Sequence, residues 1–120
     1  MQSLSKLRIY AKSKNRVKEE FVPDLSLYFY YFKRRPFFII DLNRAAIMFK
    51  NEKVNLPFYI NRKCAPFLFP MNHLLKKDWV EFRINTGNPV ISNLPSLKHI
   101  WDYCYANIVE EVLTKKGGQL

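Results

Sequence analysis

From Ser96 to Leu113, apolar residues return at every third or fourth position: Leu97, Ile100, Trp101, Cys104, Tyr105, Ile108, Val109, Val112 and Leu113. That recurrence, sustained over about five turns, predicts an amphipathic helix with one wide apolar stripe. Ser96 follows Pro95 and can cap the first turn with its hydroxyl. Lys115 and Lys116 suit the negative end, and Gly117-Gly118 offers an exit through a left-handed residue. The predicted element spans residues 96–115, and its opposite face, carrying Lys98, Asp102, Asn107, Glu110 and Glu111, is expected to meet water.

Upstream the pattern changes to short runs suited to strands. Leu25 to Phe32 (LSLYFYYF) is apolar on both faces and predicts a strand covered on both sides. Lys33-Arg34-Arg35-Pro36 forms a basic turn, and Phe37 to Asp41 (FFIID) returns as the second arm of a hairpin. Arg44 to Lys50 predicts a third strand, with a short helix as the other reading of Ala-Ala-Ile-Met. Val54 to Ile60 follows, where Pro57 suggests an edge or a bulge. Phe67 to Pro70 is a compact strand, and Met71 to Asp78 a connection. Trp79 to Asn85 alternates cleanly, with Val80, Phe82 and Ile84 to one side and Glu81 and Arg83 to the other.

Several short antiparallel strands followed by one helix, with no βαβ repeat, predict an α+β fold. The expectation is a single domain over residues 1–120. A small curled antiparallel sheet of about five to seven strands occupies 25–85, with the C-terminal amphipathic helix packed on it. Residues 1–18 carry Lys6, Arg8, Lys12, Lys14, Arg16 and Lys18 without an acid, and read as a basic N-terminal strand or arm anchored by Leu4, Leu7, Ile9 and Tyr10. With three glycines in the chain, tight type I′ hairpins are expected to be few.

Charge narrows the function more than composition does. The formal net charge is +10, and residues 1–63 hold fourteen Lys/Arg against five Asp/Glu, so nearly all the excess lies in the first half. Such a field draws polyanions. The candidate contacts to phosphate or a groove are Lys33, Arg34, Arg35, Arg44, Arg62 and Lys63, with Lys12, Lys14 and Arg16 following phosphates from the arm. Three adjacent cations at a hairpin tip suit a minor-groove probe. Tyr28, Tyr30 and Tyr31 beside them can stack on bases or fill the core.

Catalytic and metal chemistry is not indicated. No glycine-rich phosphate loop, zinc spacing or nucleophile elbow occurs. His73 and His99 are the two histidines; His73 could serve a small metal-independent ribonuclease only with a second acid–base group placed across the substrate. Glu19-Glu20 and Glu110-Glu111 are sequence neighbours read as solvated. Cys64 and Cys104 lack metal spacing and read as reduced, buried thiols. No apolar run reaches the ~18 residues that cross a bilayer, and the amino terminus has no secretory apolar region. The expectation is a cytoplasmic protein without cofactor, metal or transmembrane segment.

Between Leu56 and Trp79 the sequence resembles the middle of the competence transcription factor (ComK) family. Leu-Pro-Phe-Tyr-Ile, then six residues, then Phe-Leu-Phe-Pro, a polar connection and Trp-Val is similar to that family's spacing. Arg35-Pro36 to Asp41 resembles its Lys-Pro-apolar-Asp strand, and the 96–113 helix stands in the place of its helix. The Gly-Ser-Ser-Tyr…Gly-Arg segment expected after the second strand is missing. The resemblance covers 35–113 loosely and 56–80 more closely, and implies a cytoplasmic DNA-binding regulator that contacts AT-rich duplex as a dimer or higher form.

The leading expectation is thus a non-catalytic nucleic-acid-binding protein, a small transcription regulator that favours duplex DNA over RNA and can form a homodimer. The alternatives are a pleckstrin-homology-like module for an acidic protein or anionic lipid, a small viral or assembly structural protein, and the ribonuclease.

Overall fold

In the computed structural model the described residues are 2–50, 68–70, 79–84 and 93–118. The elements are α1 (Gln2–Lys12), β1 (Val17–Val22), β2 (Leu27–Phe32), β3 (Arg35–Asp41), β4 (Ala46–Lys50), β5 (Leu68–Pro70), β6 (Trp79–Arg83) and α2 (Leu94–Gly118). The strands form one antiparallel sheet in the order β1-β2-β3-β4-β6-β5. The fold is α+β, as the patterning predicts, with the C-terminal helix on the sheet. The expected strand at Val54–Ile60 and the connection at Met71–Asp78 lie outside the described residues.

The amino-terminal expectation is corrected. Residues 2–12 are helical, and the first strand begins at Val17. Leu4, Leu7 and Ala11 recur at helical spacing and are fully buried, so this one face holds α1 down. Ile9, read as a strand anchor, is 71% exposed. In β1 the positions on the helix side of the sheet are Val17, Glu19 and Phe21; an acid in the middle breaks the apolar alternation that would announce a strand.

Helices α1 and α2 lie against one face of the sheet. Tyr30, Phe32, Phe38, Ile40, Ile47, Phe49 and Phe82 meet Leu4, Leu7, Leu97, Ile100, Trp101, Cys104 and Ile108 there. Trp101 stands at the centre, stacked on Tyr105 at 5.4 Å and edge-on to Phe37 at 5.4 Å and Tyr10 at 5.9 Å. A register shift in β2–β3 pairs Tyr30 with Phe38 but Tyr31 with Pro36, so Phe37 is an extra residue in β3. This bulge lets two successive aromatics, Phe37 and Phe38, enter the same core. The other face holds a second buried cluster of Leu27, Phe29, Ile39, Met48 and Trp79. As expected, β2 is buried on both faces.

The cap of α2 also differs from expectation. Asn93, not Ser96, caps the helix: its side-chain Oδ1 accepts the Ser96 N–H at 2.9 Å and its carbonyl accepts the Leu97 N–H at 3.1 Å. Pro95 therefore sits inside the first turn, where its missing N–H is not needed. The helix runs on through Gly117 and Gly118 rather than ending before them. Cys104 is buried, as read from the sequence, while Cys64 lies outside the described residues. No helix among the described residues is long and apolar enough to cross a membrane.

Candidate nucleic-acid interface

The turn between β2 and β3 has two central residues, Lys33 and Arg34, because Phe32 pairs directly with Arg35. Both have positive φ, 47° and 70°. A two-residue hairpin with φ > 0 at both central positions is the type I′ turn, whose twist matches the flanking strands. The low glycine content therefore does not prevent such a turn, but here it is built from two side-chain-bearing residues. A left-handed conformation costs a non-glycine residue roughly 1–2 kcal/mol, so two charged residues hold a geometry that Asn-Gly would adopt without strain.

This turn overhangs a concavity of about 400 Å³ on the sheet face opposite the helices, lined by Arg16, Lys18, Glu20, Tyr31, Lys33 and Arg34. Lys18 enters because β1 and β2 pair Lys18 with Tyr31 across the strands. Tyr31 forms the floor, parallel to Phe29 at 6.2 Å and 20°. Its hydroxyl points to Glu20 Oε1 at 3.5 Å, and burial followed by the Glu20 charge raises its pKa above the ordinary tyrosine value. Arg16, Lys18, Lys33 and Arg34 are all exposed.

What sets these four apart is convergence: Lys6, Lys14 and Lys98 also lack a carboxylate partner among the described residues, but these four line one concavity. Among the described residues none of the four has a carboxylate partner within 4.0 Å; Lys33 rests over the Phe32 ring at 6.0 Å. By contrast Arg8 is bidentate on Glu19 at 3.0 Å, and Lys12 lies 3.9 Å from the same acid. Arg44 binds Glu81 at 3.2 Å and Arg83 binds it at 2.6 Å. Lys14 sits over the Tyr10 ring at 4.5 Å.

The candidate residues thus divide. Arg16, Lys33 and Arg34 come together in the groove. Arg35 does not join them: as the first residue of β3, opposite Phe32, it points to the helix side and meets Glu111 of α2 at 3.1 Å. Arg44 belongs to the buried Glu81 network, Lys12 and Lys14 lie toward α1, and Arg62 and Lys63 lie outside the described residues. Lys18 is the groove cation that sequence alone did not single out; only the β1–β2 register places it beside Tyr31.

The acids also differ from expectation. Glu19 and Glu111, read as solvated, are engaged by Arg8 and Arg35, and Glu19 retains 13% side-chain exposure. No group of three or more His, Cys, Asp and Glu suited to a metal occurs among the described residues. His73 lies outside them. No protein-family model matches the chain, and no curated protein matches it.

Proposed function

We propose that this chain is a non-catalytic nucleic-acid-binding protein, a small DNA-binding regulator that grips duplex through the groove beneath the Lys33-Arg34 turn. The observation that carries the reading is the convergence of four exposed cations on one concavity. Acids engage Arg8, Arg35, Arg44 and Arg83, while Arg16, Lys18, Lys33 and Arg34 converge on one concavity, which Glu20 also lines, with no carboxylate within 4.0 Å of them among the described residues. Four cations aligned on phosphates contribute affinity by releasing counterions. The turn supplies a narrow cationic projection of the kind that enters a minor groove, which is narrowest and most negative in AT-rich tracts. The similarity to the competence regulators supports the same preference for AT-rich duplex.

The test is binding of the full chain to labelled AT-rich duplex, GC-rich duplex and single-stranded RNA across a salt series. AT-preferring duplex binding is expected. If each of the four cations neutralises one phosphate, the log–log salt slope is about −3.6. Lys33→Glu with Arg34→Glu should abolish it, whereas Arg44→Ala, outside the groove, should leave it within about twofold. Absence of binding to all three nucleic acids, with co-sedimentation on anionic vesicles, would assign the groove to a lipid headgroup instead.

A further inference from the structure

Among the described residues the sheet has two edges, β5 and β1, and they are built differently. At one, β5 is three residues long and ends in proline, as protected edges do. At the other, β1 is six residues long, contains neither Gly nor Pro, and pairs with β2 in unbroken register. Within it Lys18, Glu20 and Phe21 are exposed, Phe21 by 47%.

The backbone direction along this edge follows from the hairpin. Phe32 and Arg35 close the two-residue turn, so Phe32 and Tyr30 bond toward β3. The alternate residues Tyr31, Phe29 and Leu27 then bond toward β1, to Lys18, Glu20 and Val22. The peptide groups of Val17, Glu19 and Phe21 face outward, except that the Val17 N–H is taken by the Lys14 carbonyl at 3.3 Å.

We infer that β1 is the docking edge for a second copy of this chain, paired antiparallel about a two-fold axis at Glu19. A partner strand must oppose its own outward residues to these, which allows registers two residues apart. One of them places Lys18 opposite the partner's Glu20, and Glu20 opposite the partner's Lys18, on the groove face. It sets Val17 against Phe21 twice on the helix face. Sliding by two residues puts either Lys18 against Lys18 or Glu20 against Glu20. Opposite charges across strands stabilise a pair and like charges oppose it, so the charge pattern of β1 selects the one register. The Glu19 carboxylates that meet on the axis are each already held by their own Arg8. The product is one continuous sheet through both copies, with the two cationic grooves abutting on the same face.

The test needs no nucleic acid, so it stands apart from the binding reading. Sedimentation equilibrium of the full chain at about 0.15 M salt, where the long-range repulsion of the net +10 charge is screened and adjacent pairs are not, should show a concentration-dependent dimer. Lys18→Glu alone and Glu20→Lys alone should each raise its dissociation constant at least about tenfold. Mixed, those two variants should form a heterodimer at the original strength, because both cross-strand pairs are then attractive. Unchanged circular dichroism of each variant establishes that the fold is intact. A wild-type chain that stays monomeric at all concentrations overturns the inference. So does a dimer indifferent to both substitutions, or a mixture of variants that fails to associate.

Discussion

Arg8 of α1 clasps Glu19 of β1 with two parallel bonds, Nε to Oε2 and Nη2 to Oε1, both at 3.0 Å. The Tyr30 hydroxyl adds a third at 2.6 Å, and the Arg8 guanidinium lies 4.0 Å from the centre of the Tyr28 ring. The acid raises the Arg8 pKa chiefly through these hydrogen bonds. One partly buried carboxylate thereby ties α1, β1 and β2 together. Glu19→Gln loses the charge-assisted pair and should cost about 2 kcal/mol in urea unfolding. A cost below about 0.5 kcal/mol would mean the clasp is no stronger than a surface ion pair.

Tyr30 makes the same lock sensitive to alkali. Burial, then its bond to Glu19, pushes its hydroxyl well above the ordinary tyrosine pKa. In the unfolded chain tyrosine ionises near pH 10, so above that pH the unfolded state releases a proton that the folded state keeps. The stabilisation is fully present below about pH 10 and falls as pH rises further, by about 1.4 kcal/mol per pH unit for this one group. Tyr30→Phe should unfold more easily at pH 7, having lost the bond to Glu19, yet decline less steeply between pH 10 and 11. Parallel curves for the two proteins would show that another group carries the alkaline loss.

The sheet and α2 were legible because their inward positions are apolar at the right period. α1 and β1 were not, and for one reason. Arg8 and Glu19 are polar residues that face each other inside, so neither element shows an uninterrupted stripe, and Ile9 suggests an alternation that the structure does not use. The site was half legible. Lys33, Arg34 and Arg35 are adjacent in sequence, but the step from turn to strand sends Arg35 to the other face, where Glu111 holds it. Lys18 is thirteen residues from Tyr31 in sequence and its direct partner in space, a relationship that only pairing reveals.

Asn93 is a smaller case of the same kind. Pro95 and Ser96 both look like boundary residues, yet the cap lies two positions before the proline, with Asn93 Oδ1 receiving the Ser96 N–H at 2.9 Å. Asn93→Ala should cost about 1 kcal/mol, and Asn93→Asp or Asn93→Ser should retain most of it. Thermal unfolding of the three variants separates a cap, which ranks them this way, from a contact specific to the amide, which would penalise all three alike.

The Lys33-Arg34 turn sets stability against the proposed binding. Both residues occupy the left-handed region, where Asn and Gly sit most easily, and among the described residues neither pairs with an acid that would offset the strain. Lys33→Asn with Arg34→Gly keeps the two-residue loop and the Phe32–Arg35 closure while relieving that strain. The double variant should therefore be more stable by about 1 kcal/mol, even though glycine gives some of the gain back through the entropy of the unfolded chain. It should also lose two of the four groove cations, shifting the salt slope for DNA from about −3.6 to about −1.8. Higher stability with weakened, flatter salt-dependent binding would identify the strain as maintained for the cations. Higher stability with unchanged binding would detach the turn from the interface, and no gain in stability would show that the Lys-Arg turn is not strained as its φ angles imply.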